Sequence, residues 1–574
     1  MLRRFDKVTR IAREKLGYKA LRPAQRAAIK SVLKGQDTLA VMPTGAGKSA
    51  IYQIAAHLLD GPAIIVSPLL ALQKDQVDTL ENVTVGEAAM LNSQLSDAGR
   101  EHALQRFAGG GIDFLFLAPE QLRDDERLAQ LAAAKPALIV IDEAHCITEW
   151  GHDFRPDYSR LKEVIEKLGR PTLLALTATA APPVRQEIIE KLGMKNPHVL
   201  VSGFDRPNIH LSVRRFAGEG SKHEALLQAI QEALAEGDGP GIVYAATRRH
   251  TEELHALFSE AGVPAVCYHG GMKKTDRINA QEAFMNGETS VIVATSAFGM
   301  GVDKADVRWV FHADISDSLD AYYQEVGRAG RDGKPARALL FYAPSDLHVR
   351  RFFGGATHLE ADDVAQVAEA LSRINGALTE DELAELMSSS LSAAKVHASL
   401  HRLEEIAALR ENNDGMLELL RQISPVEAYN AAQAQEKHRS FAKSRLEMLQ
   451  KYAEIQKCRR EFLLNYFGEG YEEPCKNCDV CQSKPQGKQP QKTEKTELAP
   501  SIVTSTVAPN SNAPFPLGAR VRHAEWGQGA VLRYEEDKMT VLFDEAGYKT
   551  LAVAVVMKNA LLDLLHPAEP MYGV

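Results

Sequence analysis

No stretch of this sequence approaches the ~20 uninterrupted apolar residues needed to cross a bilayer. Its opening, Met1-Leu2-Arg3-Arg4-Phe5-Asp6, lacks the apolar core of a secretory signal. The expectation is a cytoplasmic protein (nucleoid-associated if bacterial) with no membrane partner. Cysteine is scarce, six in 574 residues, which excludes a small scaffold stapled by disulfides. No unit of roughly 20–50 residues recurs, so a solenoid or propeller is excluded. Positive charge is also short: 67 basic against 76 acidic residues give a net charge of −9. Taken as a whole, that balance argues against a nucleic-acid partner. Hydrophobic residues at 45% and charged residues at 25% are those of an ordinary globular chain. At about 150 residues per domain the length suggests roughly four domains.

Residues 1–345 alternate short apolar runs with longer amphipathic segments. The runs are Thr38–Met42, Ala63–Ser67, Phe114–Leu117, Leu138–Ile141 and Leu173–Leu176, then, after a break at Phe204–Asn208, Gly241–Tyr244, Ala265–Tyr268, Ser290–Ala294 and Val307–His312. Continuous apolar runs between helices read as buried parallel strands, so two α/β domains facing a cleft are expected, 1–207 and 208–345. In 346–435 helical periodicity takes over, with a capping box at Thr379-x-x-Glu382 and strand signals at Ala408–Arg410 and Met416–Leu419. That order suggests a winged helix, with a helical spacer as the alternative. Residues 436–467 read as one long helix leading into the cysteines, 436–482 forming one module. Residues 483–516 are rich in Pro, Gln, Lys, Thr and Ser and read as a linker. In 517–574, short runs (Arg520–Arg522, Gly529–Tyr534, Met539–Phe543, Tyr548–Val553) fit a small β-barrel. Five folded units and a linker thus fit better than four.

Chemistry enters at Thr44-Gly45-Ala46-Gly47-Lys48-Ser49, between a strand and a helix start. Small residues there let backbone N–H groups wrap phosphate oxygens at a helix N-terminus. Lys48 would reach the β- and γ-phosphates and the Ser49 hydroxyl would hold Mg²⁺. The strict pattern has glycine where this chain has Met42. At the end of a second apolar strand stand Asp142 and Glu143: one carboxylate to share Mg²⁺ with Ser49, its neighbour to orient or deprotonate the attacking water. Within Tyr322–Arg331, Arg328 and Arg331 stand three apart and are expected on one face of a helix. Alone they would be a solvated basic face; at the end of a second α/β domain they read as arginines brought across the cleft to the γ-phosphate.

Four cysteines, Cys458, Cys475, Cys478 and Cys481, fall within 24 positions, sixteen residues separating the first two. Four thiolates at that spacing suit closed, tetrahedral structural Zn²⁺, with an iron–sulfur cluster as the rival. Cys146 and Cys267 read as packing residues.

To about residue 345 the chain resembles a RecQ-family superfamily 2 ATP-dependent DNA helicase. The resemblance rests on ordered motifs: Leu16-Gly17-Tyr18, Arg22-Pro23-x-Gln25, Ser67-Pro68-Leu69-x-Ala71-Leu72-x-Lys74-Asp75-Gln76, Asp142–Ile147, Glu149–Pro156, Leu176–Ala180, Phe204–Asn208, Tyr268–Gly271, Ala297–Lys304 and Tyr322–Arg331. It implies tandem RecA-like domains followed by the winged-helix segment, a zinc-binding helical module and the barrel. It further implies that Tyr18 stacks on adenine beside Arg22 while Gln25 reads the adenine edge. Gln324, Arg328 and Arg331 then join Lys48, Asp142 and Glu143 as catalytic groups. Trp150, Phe154 and Arg155 belong to a loop that couples DNA contact to hydrolysis, a buried Trp and Phe being the alternative. The surroundings of Cys458 also resemble the RecQ zinc module. The expected partners are ATP and single-stranded or forked DNA, the cofactors Mg²⁺ and Zn²⁺.

Two departures stand out. In typical RecQ proteins the winged helix follows the zinc module, whereas here the candidate precedes it, so no strand-separating hairpin can be assigned. The segment from Leu517 to Gly529 resembles the Tudor-like barrel ending UvrD/PcrA helicases, which implies a docking partner such as RNA polymerase or repair proteins, a further nucleic-acid contact, or a plain stabilising barrel. The function expected is 3′–5′ DNA unwinding in recombination and repair, with a DNA-stimulated ATPase or remodelling factor as the second reading and an RNA helicase as a third. The charge is uneven too. Residues 361–435 hold 5 basic and 13 acidic residues, while 437–460 hold 8 basic and 2 acidic. The basic arm, with Arg459 and Arg460, is therefore expected to contact DNA.

Overall fold

The computed structural model describes the chain except residues 1, 44, 69–72, 75, 78–79, 81–85, 93–94, 149–157, 159, 300–303, 349, 351–357, 375–377, 407, 412–415, 472–473, 484–513, 517, 536, 545 and 567–574. Thr44, Trp150, Phe154, Arg155 and most of the expected linker lie outside the described residues.

Seven strands form the first sheet: β1 (Thr38–Val41), β2 (Ala63–Val66), β3 (Ala88–Leu91), β4 (Phe114–Leu117), β5 (Leu138–Ile141), β6 (Thr172–Thr177) and β7 (His198–Val201). All pair in parallel, in the order β3-β4-β2-β5-β6-β1-β7. The central runs Ala-Ile-Ile-Val, Phe-Leu-Phe-Leu and Leu-Ile-Val-Ile are buried at every position. Helices cover both faces of such a sheet, so no polar alternation survives. Six more parallel strands make the second sheet, β8 (Ile209–Arg215), β9 (Gly241–Tyr244), β10 (Ala265–Tyr268), β11 (Val291–Ala294), β12 (Trp309–His312) and β13 (Ala336–Tyr342), ordered β10-β11-β9-β12-β13-β8. These are the two tandem RecA-like units expected.

Helices α1 (Pro23–Val32), α2 (Ser49–Ala56) and α3 (Pro182–Leu192) belong to the first unit; α4 (Glu219–Ala235), α5 (Arg248–Glu260) and α6 (Leu319–Val326) belong to the second. Beyond them, α7 (Ala361–Arg373), α8 (Glu380–Leu386) and α9 (Ala393–Glu405) precede an antiparallel pair, β14 (Leu409–Glu411) with β15 (Leu417–Leu419). A bridge from Leu378 to Leu417 adds a third short edge, and Val364, Val367, Leu383, Val396, Leu400 and Leu403 fill the core. The element order is that of a winged helix. The capping box forms where the sequence placed it: Glu382 N–H donates to Thr379 Oγ1 (3.3 Å) and Thr379 N–H to Glu382 Oε2 (2.8 Å).

The single helix expected over 436–467 is two. Helix α10 runs from Pro425 to Glu454, opened by a Ser424/Glu427 capping box, and so passes through residue 435 without a break. The chain turns extended at Ile455, and α11 (Arg459–Tyr466) starts with Cys458 at its N-cap. The turn swings Cys458 toward the other three cysteines, which a continuous helix could not do. At the C-terminus β16 (Arg520–His523), β17 (Gly527–Glu535), β18 (Lys538–Phe543), β19 (Gly547–Ala552) and β20 (Leu562–His566) form an antiparallel sheet ordered β19-β18-β17-β16-β20. A four-strand meander is followed by α12 (Val553–Asn559), which returns the last strand beside the first. Val521, Val531, Met539, Val541 and Phe543 are its core.

Candidate nucleotide site and zinc module

The strand order β5-β6-β1 sets three carboxyl-terminal strand ends side by side, the crevice where open α/β sheets bind ligands. After β1 comes the glycine-rich turn, then α2 beginning at Ser49. Gly47 has φ +74°, and a Cβ there would lie 2.6 Å from Gln25 Nε2, so only glycine fits. Gln25 is buried and joins two segments: its Nε2 donates to Ala46 O (3.1 Å) and Gly47 O (2.9 Å), and its Oε1 accepts from the Arg22 N–H (2.8 Å). The amide expected at the adenine edge here braces the phosphate loop. Tyr18 is half-buried and Arg22 exposed nearby in sequence. The Lys48 ammonium folds back on Met42 O at 3.4 Å.

After β5, Asp142 takes an N–H bond to Val66 O, and its Oδ1 accepts from the Glu143 N–H at 3.1 Å. Burial, with the Glu143 charge adding and Lys48 opposing, pushes the Asp142 carboxyl up to about 7. Glu143 is held in the left-handed region at φ +47°, a strained setting for a non-glycine residue that turns its carboxylate to within 3.4 Å of His145 Nδ1. From there polar contacts cross the cleft. His145 Nδ1 lies 3.0 Å from Thr177 Oγ1, the Thr179 N–H donates to Thr177 Oγ1 (3.3 Å), and Gln324 Nε2 of the second unit donates to Thr179 Oγ1 (2.9 Å). Sequence reasoning had His145, Thr177 and Thr179 only as motif letters. The available signal was the Thr-x-Thr pair at the end of an otherwise apolar strand.

The Arg331 side chain also reaches the first unit: a Cβ on Gly45 would sit 3.4 Å from Arg331 Cγ. Arg328 is buried against Gly299, and its Nε has no hydrogen-bond partner among the described residues. The helix expected to carry both arginines ends at Val326, so Arg328 and Arg331 lie on the turn that follows it, and the segment between the two sheets holds this turn in place. Arg206 donates to the carbonyls of Gly327 (3.0 Å), Ala329 (2.8 Å) and Gly330 (3.0 Å), and Asn208 donates to that of Gly330 (2.9 Å). Phosphate loop, carboxylate pair and Arg331 therefore meet at one cleft, while Arg328 is seated against Gly299 of the second unit.

The four cysteine sulfurs lie within 4.8 Å of one another. Four convergent thiols offer the donor set of a closed tetrahedral zinc site. The module clamps the edge of the second sheet: Cys478 bridges Leu211, Asp479 Oδ2 accepts from the Val213 N–H (3.0 Å), and Asn477 Nδ2 donates to Pro207 O (2.9 Å).

Arg459 and Arg460 overturn the expectation of a DNA-facing basic pair. They are 3% and 4% exposed. Arg459 donates to Asp479 Oδ1 (2.7 Å) and Tyr452 O (2.6 Å); Arg460 donates to Ile209 O (2.7 Å) and Arg206 O (3.1 Å) and pairs with Asp205 (3.3 Å). Charge counting could not foresee this, because it does not say which way a guanidinium points. Arg445 is likewise buried on Ser318 Oγ (2.6 Å), and Lys451 holds Thr550 Oγ1 (2.7 Å). Of the basic arm, Lys437, Arg439 and Lys443 are exposed.

Comparison with known proteins agrees with this layout. Residues 22–188 match the DEAD/DEAH box helicase family, 221–333 the helicase conserved C-terminal domain, and 416–482 the RecQ zinc-binding family. The chain is 41% identical over 358 residues to "Probable ATP-dependent DNA helicase RecS" of Bacillus subtilis, covering 62% of this chain and 71% of that protein. It is 34% identical over 469 residues to "ATP-dependent DNA helicase RecQ" of Haemophilus influenzae, covering 82% of this chain and 62% of that one. Among solved structures, the helicase MrfA bound to DNA shares the fold, with a TM-score of 0.51 at 19% identity over 74% of this chain and 64% of that one.

Proposed function

The chain belongs to the RecQ family of ATP-dependent DNA helicases, and on that premise we propose that it couples ATP hydrolysis to 3′–5′ movement along single-stranded DNA and to strand separation during recombination and repair. The observation that carries this reading is the Arg331 side chain lying across the cleft on the phosphate loop, beside the Gln324–Thr179 bond. A nucleotide seated there would touch both units at once, so hydrolysis changes what holds them together.

In the proposed cycle Lys48 leaves Met42 O for the β- and γ-phosphates, backbone N–H groups of Gly45–Ser49 cradle the phosphate oxygens, and Thr44 completes the loop. Bound Mg²⁺ would neutralise phosphate charge between Ser49 and Asp142. Glu143, oriented by its backbone and by His145, takes the proton of the attacking water. Arg328 and Arg331 meet the charge that spreads over the γ-phosphoryl oxygens, a role worth about 10³–10⁵-fold in rate. Tyr18 and Arg22 flank the base. Loss of the γ-phosphate frees the arginines and relaxes the His145–Thr177–Thr179–Gln324 chain, so the units separate and shift along the strand. Duplex stacking averages about 1.4 kcal/mol per step, within reach of one ATP per base pair. Trp150, Phe154 and Arg155 remain the proposed DNA contacts, by stacking and charge. The terminal sheet, read as Tudor-like, would serve as a docking unit for a protein partner or a second DNA contact.

A second reading, an ATPase that translocates without separating strands, is favoured by one observation: the helical unit with the β14–β15 pair precedes the four cysteines. A forked-duplex assay decides. Strand displacement with ATP that disappears in Lys48→Ala supports the helicase; DNA-stimulated hydrolysis without displacement overturns it.

A further inference from the structure

At the carboxyl-terminal ends of the strands of the second sheet, on side chains other than those of the nucleotide site, a cluster of ligating side chains gathers. Glu219 and His223 stand four apart on α4 and share one face. His250 comes from the first turn of α5. The Nε2 atoms of His223 and His250 are 3.0 Å apart, and Glu219 Oε2 is 3.7 Å from His223 Nε2. One ligand atom from each of the three lies within 4.8 Å of the others. Donors about 2.0–2.1 Å from a tetrahedral zinc ion stand roughly 3.3–3.5 Å apart, so the cluster is already near that spacing.

Two features behind the ligands point the same way. His250 Nδ1 is 2.6 Å from Asp314 Oδ2, which also accepts the Ala246 N–H at 2.7 Å. That bond places the ring proton on Nδ1 and leaves the Nε2 lone pair facing His223. A carboxylate behind a histidine is the usual support of a metal-binding imidazole. Second, the fully buried Lys222 pairs with Asp346 (2.6 Å), Asp314 (3.4 Å) and Glu219 (3.3 Å). Three carboxylates against one ammonium leave an excess of negative charge beside the two imidazoles, which a divalent cation would offset. Without a cation, the two facing Nε2 atoms must share a proton to avoid lone-pair repulsion.

We propose that Glu219, His223 and His250 form a second metal site, independent of the four cysteines, taking a first-row divalent cation of the zinc class. Two imidazoles and one carboxylate select Zn²⁺, Co²⁺ or Ni²⁺ over Mg²⁺ or Ca²⁺. The side chains of Glu219 and His223 are 48% and 31% exposed, so the fourth position opens to solvent. The ion would tie α4 to α5 and stiffen the second unit.

The test uses the full chain with its cysteine site loaded with Co²⁺, which counts as the first equivalent. Titration with Co²⁺ is expected to show a second equivalent whose spectrum lacks the thiolate-to-metal charge-transfer band of the first. His223→Gln and His250→Gln should each weaken that equivalent at least about tenfold and leave the first unchanged. Added Zn²⁺ should raise the Tm of the native chain and not that of His223→Gln. Because His250 also holds Asp314, His223→Gln is the variant that separates ligand loss from misfolding. A single equivalent in the native chain, or a second one whose affinity is the same in His223→Gln, overturns the proposal.

Discussion

Replacing Arg460 by alanine separates two uses of a positive charge. If the guanidinium is structural, its loss leaves the Ile209 and Arg206 carbonyls and the Asp205 carboxylate without their donor. Breaking a buried ion pair from one side costs about 3–5 kcal/mol. Two features pull toward the low end. The Asp205 side chain is 33% exposed and can draw water, and Ile209 O keeps a second, longer bond from Asn477 Nδ2 (3.4 Å). The expected loss is about 3 kcal/mol, roughly a hundredfold in the unfolding equilibrium at about 1.4 kcal/mol per decade. Trp309 reports on it, being fully buried in β12 with its indole N–H on Gly239 O (3.1 Å). Urea unfolding of Arg460→Ala followed by tryptophan fluorescence should move to lower denaturant. In parallel, the salt dependence of DNA binding should keep its slope, because no phosphate contact has been removed. A slope reduced by about one with an unchanged urea midpoint would refute the argument and restore Arg460 as a DNA contact.

Other perturbations probe other parts. Arg331→Ala should lower ATPase kcat by about 10³-fold or more while nucleotide binding, read by fluorescent-nucleotide titration, falls far less. Stripping the metal with a chelator, or replacing Cys478 by serine, should unfold more than the module. Since Cys478, Asp479 and Asn477 hold the β8 edge, amide exchange should rise along Ile209–Val213 as well; protection there that survives metal loss would contradict the clamp. Gly547→Ala should loosen the terminal sheet, because its φ is +69° and a Cβ would meet Ser444 Oγ at 2.3 Å. Thermal unfolding should then show the sheet melting ahead of the rest, whereas an unaltered melt would mean the sheet does not depend on α10.

Much of this architecture is written locally. Runs such as Leu138–Ile141 and Phe114–Leu117 are buried on both faces, so hydrophobicity alone marks them as central parallel strands. β3, β7 and β8 escaped at sheet edges, where Ala-Ala-Met-Leu carries little apolar bulk and His198–Val201 is half-buried throughout, and the interior β13 escaped as well. The phosphate loop and the cysteines were legible because their chemistry fixes spacing along the chain. The Arg206 and Asn208 anchors and the Gln324–Thr179 bond were not, since they join residues more than a hundred positions apart. The metal cluster of α4 and α5 escaped for the same reason: a helix-spaced Glu219 and His223 reads as an exposed face until His250 is folded against it.

The net charge makes sense only in three dimensions. Part of the positive arm over 437–460 is spent inside the protein: Arg445 bonds the second unit at Ser318, Arg460 bonds the joining segment at 205–209, and Arg459 braces the zinc module itself. Toward the second unit the joints are numerous: the Asp479 and Asn477 bonds to 207–213, Arg215 Nε on Ala453 O (3.1 Å), and Tyr466 OH on Asp320 Oδ2 (2.5 Å). Toward the first sheet and its helices the described residues show fewer, Arg185 Nη2 on Phe467 O (2.7 Å) and Pro182 against Gly468, while the joining segment is held by the Phe204 N–H on Glu469 Oε2 (2.5 Å) and by Asp205 on Arg460 (3.3 Å). Opening of the cleft must break one set, and the smaller set costs less. Opening along that smaller set would carry the module with the second unit and part the first unit from it at the Arg185–Phe467 contact. Phe467 stacks at 4.6 Å on Phe204, the residue that enters the segment joining the two sheets, so that contact lies against the joining segment itself.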